Sequence, residues 1–141
     1  MQLPIKAHYA ALAMLALARS HSAGQLVPAR AIAEEQKIPS QFLGQILQQL
    51  RSSGLITSTR GSSGGFQLSK LPEAITLAEI VESVCPTCNR PPDLGSQGTL
   101  GEVLADVWDQ LHHSQHNLLA EVTLAELLTR ANSENSTMFY I

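Results

Sequence analysis

Hydrophobic side chains recur at helical spacing through the first fifty residues and predict three helices there. The first runs from Ile5 to Ser20 and the second from Ala29 to Gln36. The third opens at Pro39 and places its largest apolar side chains on one predicted face: Phe42, Leu43, Ile46, Leu47 and Leu50. Gly54 ends this helix, because glycine accepts the left-handed geometry that is common after a helix C-terminus. The short turn between the second and third helices indicates a helix-turn-helix.

The residues after Gly54 predict a small β-hairpin. Leu55–Thr59 and Phe66–Leu68 have the composition of strands, and Arg60–Gly65 supplies the glycines and serines of a turn. A helix followed by a hairpin with a basic tip is typical of a winged helix-turn-helix. We therefore predict a mainly α fold with a small β-hairpin wing, extended by a long C-terminal dimerisation helix.

The second half of the chain predicts one short helix and one long helix. Thr76 and Glu79 match a capping box, and the helix that they open ends near Cys85. Thr99–Val122 carries an apolar stripe with approximate heptad spacing. We interpret the stripe as a dimer interface, with an ordinary core helix as the alternative. The predicted interface residues are Leu100, Leu104, Val107, Trp108, Leu111 and Leu118.

The end of the chain predicts a short element at Thr123–Leu128 and a polar tail at Ala131–Ile141. We expect the tail to be mobile unless its last four residues dock. The predicted organisation has four parts: a winged helix-turn-helix domain at 1–84, a sensor loop at 85–98, the dimerisation helix with its following element at 99–130, and the tail at 131–141.

Composition narrows the class of protein. The 141 residues are 44% hydrophobic and 4% aromatic, which is sufficient for one domain with an appended dimer element. The chain has no run of about 18 apolar residues, so we predict no membrane span. No secretion signal is recognisable. Two nearby cysteines fit a reducing cytoplasm better than a disulfide scaffold. We find no phosphate-binding glycine loop, nucleophile elbow or apolar carboxylate pair, and we predict no enzyme activity.

Charge is divided unevenly between the two halves. Residues 1–70 hold seven Lys or Arg against two Asp or Glu, a net charge of +5. Residues 71–141 hold two against ten, a net charge of −8. A basic first half suits a polyanion partner, and the acidic half is expected to face away from it.

The predicted DNA contacts follow from how a winged helix-turn-helix docks. The N-terminal residues of the recognition helix reach base edges in the major groove, and the wing tip reaches a minor groove or phosphates. The predicted base-reading residues are Ser40, Gln41 and Gln45, and Arg60 is the predicted wing-tip contact. The predicted phosphate partners are Arg51, Gly61, Ser62, Ser63 and Gly64, with Arg30, Lys37 and Lys6 as further candidates.

The chain resembles the Rrf-type bacterial transcription regulators, the family that includes the IscR, NsrR and CymR types. The resemblance spans nearly the whole chain and is most specific in the wing. It is carried by Gln2–Ala10, Met14–Leu15, Ile32–Glu34, Ile38–Arg51, Gly54–Ile56, Ser58–Leu68, Ile75–Leu77, Trp108 and Thr123–Leu127. It implies a homodimer that binds a near-palindromic operator in double-stranded DNA, with long helices crossing between the subunits.

Gly44 departs from the family, because relatives commonly carry a larger polar residue, often Glu, at this place in the recognition helix. Two interpretations stay open. The glycine removes a side chain that reads bases, or it permits a close packing contact.

The family also raises the question of a cofactor. Many members carry an iron–sulfur cluster on three cysteines and a fourth, non-cysteine ligand, whereas this chain has only Cys85 and Cys88. Three interpretations remain: an iron–sulfur or zinc site completed by histidines, a dithiol switch, or no sensing role. The candidate additional ligands are His8, His112 and His116.

We interpret the protein as a dimeric, sequence-specific DNA-binding transcription regulator that acts as a repressor, with iron–sulfur, metal or redox responsiveness left open. Two alternatives remain. One is a regulator with no sensing role, and the other is a protein-interaction module that has lost DNA binding.

Overall fold

Six helices and one hairpin make up the fold in the computed structural model, which describes residues 3–88, 90, 93, 95 and 98–139, with side chains to residue 134. The helices are α1 (Ile5–His21), α2 (Ala29–Gln36), α3 (Ser40–Ser52), α4 (Leu77–Val84), α5 (Gly98–Glu121) and α6 (Leu124–Phe139). The strands are β1 (Ile56–Thr59) and β2 (Gly65–Leu68), and a short 3-10 turn covers Pro72–Ala74. The predicted fold class, mainly α with a hairpin wing, is confirmed.

Helix α1 is the centre of the core. It packs against α2, α3, α4, α6 and β2. Two of its alanines, Ala10 and Ala13, are fully buried and allow neighbouring helices to approach closely. Met14 and Leu17 fill the space between them. The elements that are predicted to contact DNA therefore pack on one buried central helix.

The wing is an antiparallel pair in which Ile56 lies opposite Leu68 and Thr59 opposite Gly65. A second contact ties it to the segment before α2. Val27 and Phe66 exchange backbone hydrogen bonds of 2.9 and 2.8 Å. The wing therefore leans on the helix-turn-helix rather than projecting alone.

The predicted capping box at the start of α4 is present. The Thr76 hydroxyl accepts from the Glu79 backbone N–H at 3.3 Å, and the Glu79 carboxylate accepts from the Thr76 N–H at 3.4 Å. The same segment pairs with the junction between α5 and α6. Leu77 N–H donates to the Val122 carbonyl at 2.9 Å, and Leu124 N–H donates to the Ile75 carbonyl at 3.0 Å. These bonds fix the long helix beside α4.

The final helix is longer than predicted. The sequence predicts a short element at Thr123–Leu128 and a mobile tail, but α6 continues through residues 131–139 of that tail. Docking of Met138–Ile141 lies outside the described side chains. Parts of the predicted sensor loop also lie outside the described residues, namely 89, 91, 92, 94, 96 and 97. No helix in the described part of the chain is long and apolar enough to span a membrane.

Candidate DNA-binding interface

Helix α3 separates a buried apolar face from an exposed polar one. Leu43, Ile46, Leu47 and Leu50 are buried in the core. The predicted base-reading residues Ser40, Gln41 and Gln45 are exposed. The first two lie in the first turn of the helix, which is the part that reaches base edges in a helix-turn-helix. The structure thus brings the three predicted readers to one accessible end of α3.

Backbone hydrogen bonds to one carbonyl define the turn between α2 and α3. Lys37 adopts a left-handed backbone conformation with φ 56°, and its N–H bonds to the Ala33 carbonyl. Ile38 follows, buried, and its N–H bonds to the same carbonyl at 3.0 Å. Pro39 is the N-cap residue of α3 and makes no side-chain cap hydrogen bond. The Ser40 side chain is exposed, and its hydroxyl has no hydrogen-bond partner among the described residues.

The wing tip is shaped by glycines. Gly61 has φ +117°, a conformation that L side chains rarely adopt. A Cβ at Gly64 would collide with the Thr59 carbonyl oxygen, and Gly64 N–H closes the turn on the Gly61 carbonyl at 3.0 Å. Ser62 and Ser63 are exposed at this tip. The Gly64 N–H, a predicted phosphate donor, is thus already engaged within the turn, whereas the Ser62 and Ser63 hydroxyls are placed to donate to phosphate oxygens.

Arg60 is an exposed cation at the start of this turn. Among the described residues it has neither an ion-pair partner nor a hydrogen-bond partner. An unpaired guanidinium loses no intramolecular bond when it binds phosphate. It is therefore available for the contact that the sequence predicts.

The other predicted phosphate partners differ in whether another side chain of the protein already binds them. Arg51 donates from Nη1 to the Ser58 hydroxyl at 3.2 Å, which links the end of α3 to β1. Arg30 pairs with Glu34 at 3.1 Å within α2. Lys37 is exposed and Lys6 is half-buried, and neither has an ion pair in the described part of the chain. Arg30 is thus the least available of these cations.

Gly44 lies on the exposed side of α3, and a Cβ built there meets no heavy atom within 4 Å. The close-packing interpretation is therefore wrong for contacts within this chain. The glycine leaves a gap in the exposed face of α3, between Gln41 and Gln45.

Two residues near this surface were missed by sequence reasoning. Phe42 was assigned to the apolar face, but its side chain is 45% exposed. Its ring lies 6.2 Å from the Tyr9 ring, centroid to centroid. The residue spacing indicates this partial exposure. A 3.6-residue period places Phe42 beside the row of buried residues rather than within it. That row consists of Leu43, Ile46, Leu47 and Leu50. Ser58 gave no sequence signal for its bond to Arg51.

Helix α5 exposes the predicted dimer stripe. The six predicted interface side chains are between 40% (Trp108 and Leu111) and 83% (Leu100) exposed in the single chain. Val103 belongs to the same exposed surface, at 58%. The alternative of an ordinary core helix is wrong for this stripe, because the side chains are not buried within the chain.

The two cysteines are joined in a disulfide, with their Cα atoms 5.4 Å apart. This corrects the expectation that they would be reduced thiols, and its physical cause is the turn after α4, which brings the two residues within bonding range. No three His, Cys, Asp or Glu side chains converge on a metal-binding point within the described residues. His8 and His116 are exposed. The third candidate histidine, His112, is buried.

An exposed polar face on a recognition-type helix, beside a wing with a cationic tip, defines a winged helix-turn-helix DNA-binding protein. The family model described as Rrf2, iron-dependent transcriptional regulator, matches residues 3–130. The chain belongs to this family, whose members are transcription regulators rather than enzymes.

Individual relatives agree with this assignment. The chain is 36% identical to the HTH-type transcriptional regulator slr0846 of Synechocystis sp., over 94% of this chain and 91% of the relative. T. potens IscR shares the fold with a TM-score of 0.76 and 28% identity, covering 93% of this chain and 88% of that one. CymR of B. subtilis superposes with a TM-score of 0.80 at 24% identity, covering 92% and 98%, which supports the fold alone.

The iron dependence in the family description does not fit the donor set of this chain. A cluster held as in many relatives takes three cysteines and a fourth ligand, and this chain has two cysteines. Both sulfurs are engaged with each other in the structure. No step of the function proposed below passes through an iron–sulfur cluster.

Proposed function

We propose that the protein is a homodimeric, sequence-specific DNA-binding repressor acting on a near-palindromic operator in the cytoplasm. The observation that carries this proposal is the exposed polar face of α3 together with the wing-tip Arg60, which has no ion-pair or hydrogen-bond partner among the described residues. Family membership supports the transcriptional role.

Base reading is assigned to the start of α3. The Gln41 and Gln45 side chains each carry an amide donor and an acceptor, the pair of groups that matches an adenine edge in the major groove. The Ser40 hydroxyl can donate or accept. Gly44 contributes no side chain, so the base pair opposite it is expected to be weakly specified.

Phosphate contacts fix the register of the protein on the duplex and supply much of the affinity. Arg60 and the Gly61–Gly64 turn hold the strand at the wing. Arg51, bound to Ser58, keeps the wing and the recognition helix in one orientation. The acidic second half, with a net charge of −8 over residues 71–141, is repelled by DNA and favours presentation of the basic face.

Dimerisation is assigned to α5. A row of exposed apolar side chains on one helix is unusual for a monomer and marks an interaction surface. A two-fold axis across this row gives a self-complementary interface, and it would place two α3 helices on successive major-groove faces. Repression then follows where the operator overlaps a promoter, because the bound dimer occludes polymerase.

The dimer is tested by mass in solution. Sedimentation velocity should give about twice the chain mass of 15.2 kDa. Leu104→Asp removes an apolar contact of about 1.5–3 kcal/mol per subunit and buries a charge, so it should yield monomers. Glu102→Gln, on the same exposed helix, is the matched control and should remain dimeric. A monomeric parent protein contradicts the dimer.

The DNA-binding proposal is tested by selection from a random duplex library with the purified dimer. We expect enrichment of an inverted repeat with half-sites about one helical turn, or a multiple of it, apart. Enrichment of a single unsymmetrical site contradicts the two-fold arrangement. No enrichment at low salt, in reduced or oxidised protein, contradicts DNA binding and favours a protein-interaction module.

The state of Cys85 and Cys88 is proposed as the signal that modulates DNA affinity. The disulfide is the observation that favours this role. It lies directly after α4, which packs against both α3 and α5. Operator affinity of oxidised and reduced protein, compared with Cys88→Ser, tests it. Equal affinity in all three samples means a regulator that does not sense redox state.

A further inference from the structure

One aromatic side chain on the candidate DNA-binding surface has no part in the function proposed above. Phe42 lies in the first turn of α3, directly after Ser40 and Gln41, and its side chain is 45% exposed. The buried row on the same helix is at most 2% exposed. The core beneath α3 is therefore closed by that row, and a large part of the Phe42 ring is left at the surface.

The exposed ring of Phe42 borders the face of α3 that is assigned to base reading. Phe42 and Gln45 are three residues apart, and side chains at this spacing are neighbours on the surface of a helix. Both are exposed. The N-terminal residues of a recognition helix approach base edges in the major groove. We therefore expect a duplex that contacts Gln45 to meet the Phe42 ring as well.

Tyr9 of α1 supports the Phe42 ring from the protein side. The two ring centroids are 6.2 Å apart and the ring planes are inclined at 55°, within the range of about 4.5–7 Å for favourable aromatic pairs. Tyr9 is half-buried, and its helix packs against α3. This contact restricts the Phe42 side chain before DNA binds, so less side-chain freedom is lost in the complex.

A phenyl ring is suited to one feature of the major groove. It carries no hydrogen-bond donor or acceptor for the polar edges of adenine, guanine or cytosine, and covering those edges would leave their polar groups unpaired. Thymine alone presents an apolar group there, its 5-methyl group, and phenylalanine is one of the side chains that contact it. The exposed ring of Phe42 is thus chemically matched to thymine.

We propose that Phe42 determines specificity by contacting the 5-methyl group of one thymine in each half-site of the operator. This inference rests on the proposed function and deepens it, because it names a base that α3 selects. Side chains three residues apart on a helix are about 5–6 Å apart, and successive base pairs are about 3.4 Å apart. The thymine is therefore expected about one or two base pairs from the position that Gln45 reads.

The test removes the methyl group from the DNA. Starting from the operator selected from the random library, each thymine of the half-site is replaced in turn by deoxyuridine, in both half-sites together. Deoxyuridine differs from thymidine only in lacking the 5-methyl group. We expect one position at which the parent dimer loses affinity by about fourfold per half-site, and thus by about sixteenfold in all, the effect of exposing one buried methyl-sized group.

Phe42→Ala completes a double-mutant cycle between protein and DNA. This variant should bind the thymine and uracil operators equally, because it lacks the ring that contacts the methyl group. Arg60→Ala is the matched control, since loss of a phosphate contact should weaken both operators by the same factor and preserve the sixteenfold ratio. Circular dichroism and sedimentation check that Phe42→Ala is folded and dimeric. The uracil scan of the parent protein needs no variant, so it tests the proposal even if Phe42→Ala does not fold.

The outcomes separate this inference from the proposed function. A selected operator in which no thymine can be distinguished from uracil overturns the role of Phe42 alone. A methyl effect that persists in Phe42→Ala assigns the contact to another residue and also overturns it. A uniform loss of affinity for all sequences in Phe42→Ala, with the methyl effect intact, indicates a contact with the DNA backbone instead. A protein that selects no operator contradicts the proposed function, and this inference falls with it.

Discussion

Replacing Gly44 by alanine should stabilise the protein. Gly44 lies inside α3 with helical backbone geometry, and an added Cβ meets nothing within 4 Å. The only expected effects are therefore a lower conformational entropy of the unfolded chain and a better helix propensity. Glycine inside a helix costs about 0.5–1 kcal/mol relative to alanine, and Gly44→Ala should recover that amount per chain.

Urea denaturation followed by circular dichroism measures this change. For a slope of about 2 kcal/mol per molar urea, the midpoint should rise by about 0.25–0.5 M with no change in slope. Parent and variant are compared at one protein concentration, because the stability of a dimer depends on concentration.

Gly54→Ala is the matched control with the opposite expected sign. Gly54 also has open space where a Cβ would lie, but its φ is +80°, and a left-handed conformation costs alanine about 1–2 kcal/mol. A lower midpoint for Gly44→Ala would refute the reasoning, because it would mean that the glycine is needed for packing that the single chain does not contain. Equal shifts of the urea midpoint in Gly44→Ala and Gly54→Ala would refute the backbone geometry assigned to these two glycines.

Three further changes test other parts of the account. Thr76→Ala removes the capping box of α4 and should lower the free energy of unfolding by about 1 kcal/mol in the same urea experiment, whereas Thr76→Ser should retain it. Gly65→Ala places a Cβ 2.7 Å from the Val27 carbonyl carbon, so it should displace the wing and weaken operator binding, and unchanged binding would contradict the docking of the wing on Val27. Gly44→Gln adds a base-reading side chain, so library selection should return a sequence preference altered at one position in each half-site, and an identical preference would mean that this part of α3 does not face the bases.

Local signals in the sequence predicted the DNA-binding half closely. The bounds of α2 agree with the prediction because Pro28 and the turn at Lys37 delimit it. The capping box of α4 was predictable because both partners lie within four residues. The turn of the wing was predictable from its glycines. A Cβ at Gly64 or Gly65 would collide with backbone atoms.

Other features depend on contacts that the sequence does not show. The spacing places Phe42 at the edge of the apolar row of α3, but it does not show that 45% of the side chain stays exposed. The extension of α6 was missed because its polar composition resembles a tail. The burial of His112 arises from the pairing of α5 with α4, which involves residues far apart in the chain.

The central claim is that the wing and α3 grip DNA, and the salt dependence of operator binding by Arg60→Ala tests it most directly. Each phosphate contact contributes about 0.9 to the slope of log affinity against log salt concentration, so losing one contact per subunit should lower the slope by about two per dimer. Affinity should fall by at least about tenfold. Arg130→Ala, in the acidic half on α6, is the control and should leave both quantities unchanged. An Arg60→Ala dimer with the affinity and salt slope of the parent would contradict the account.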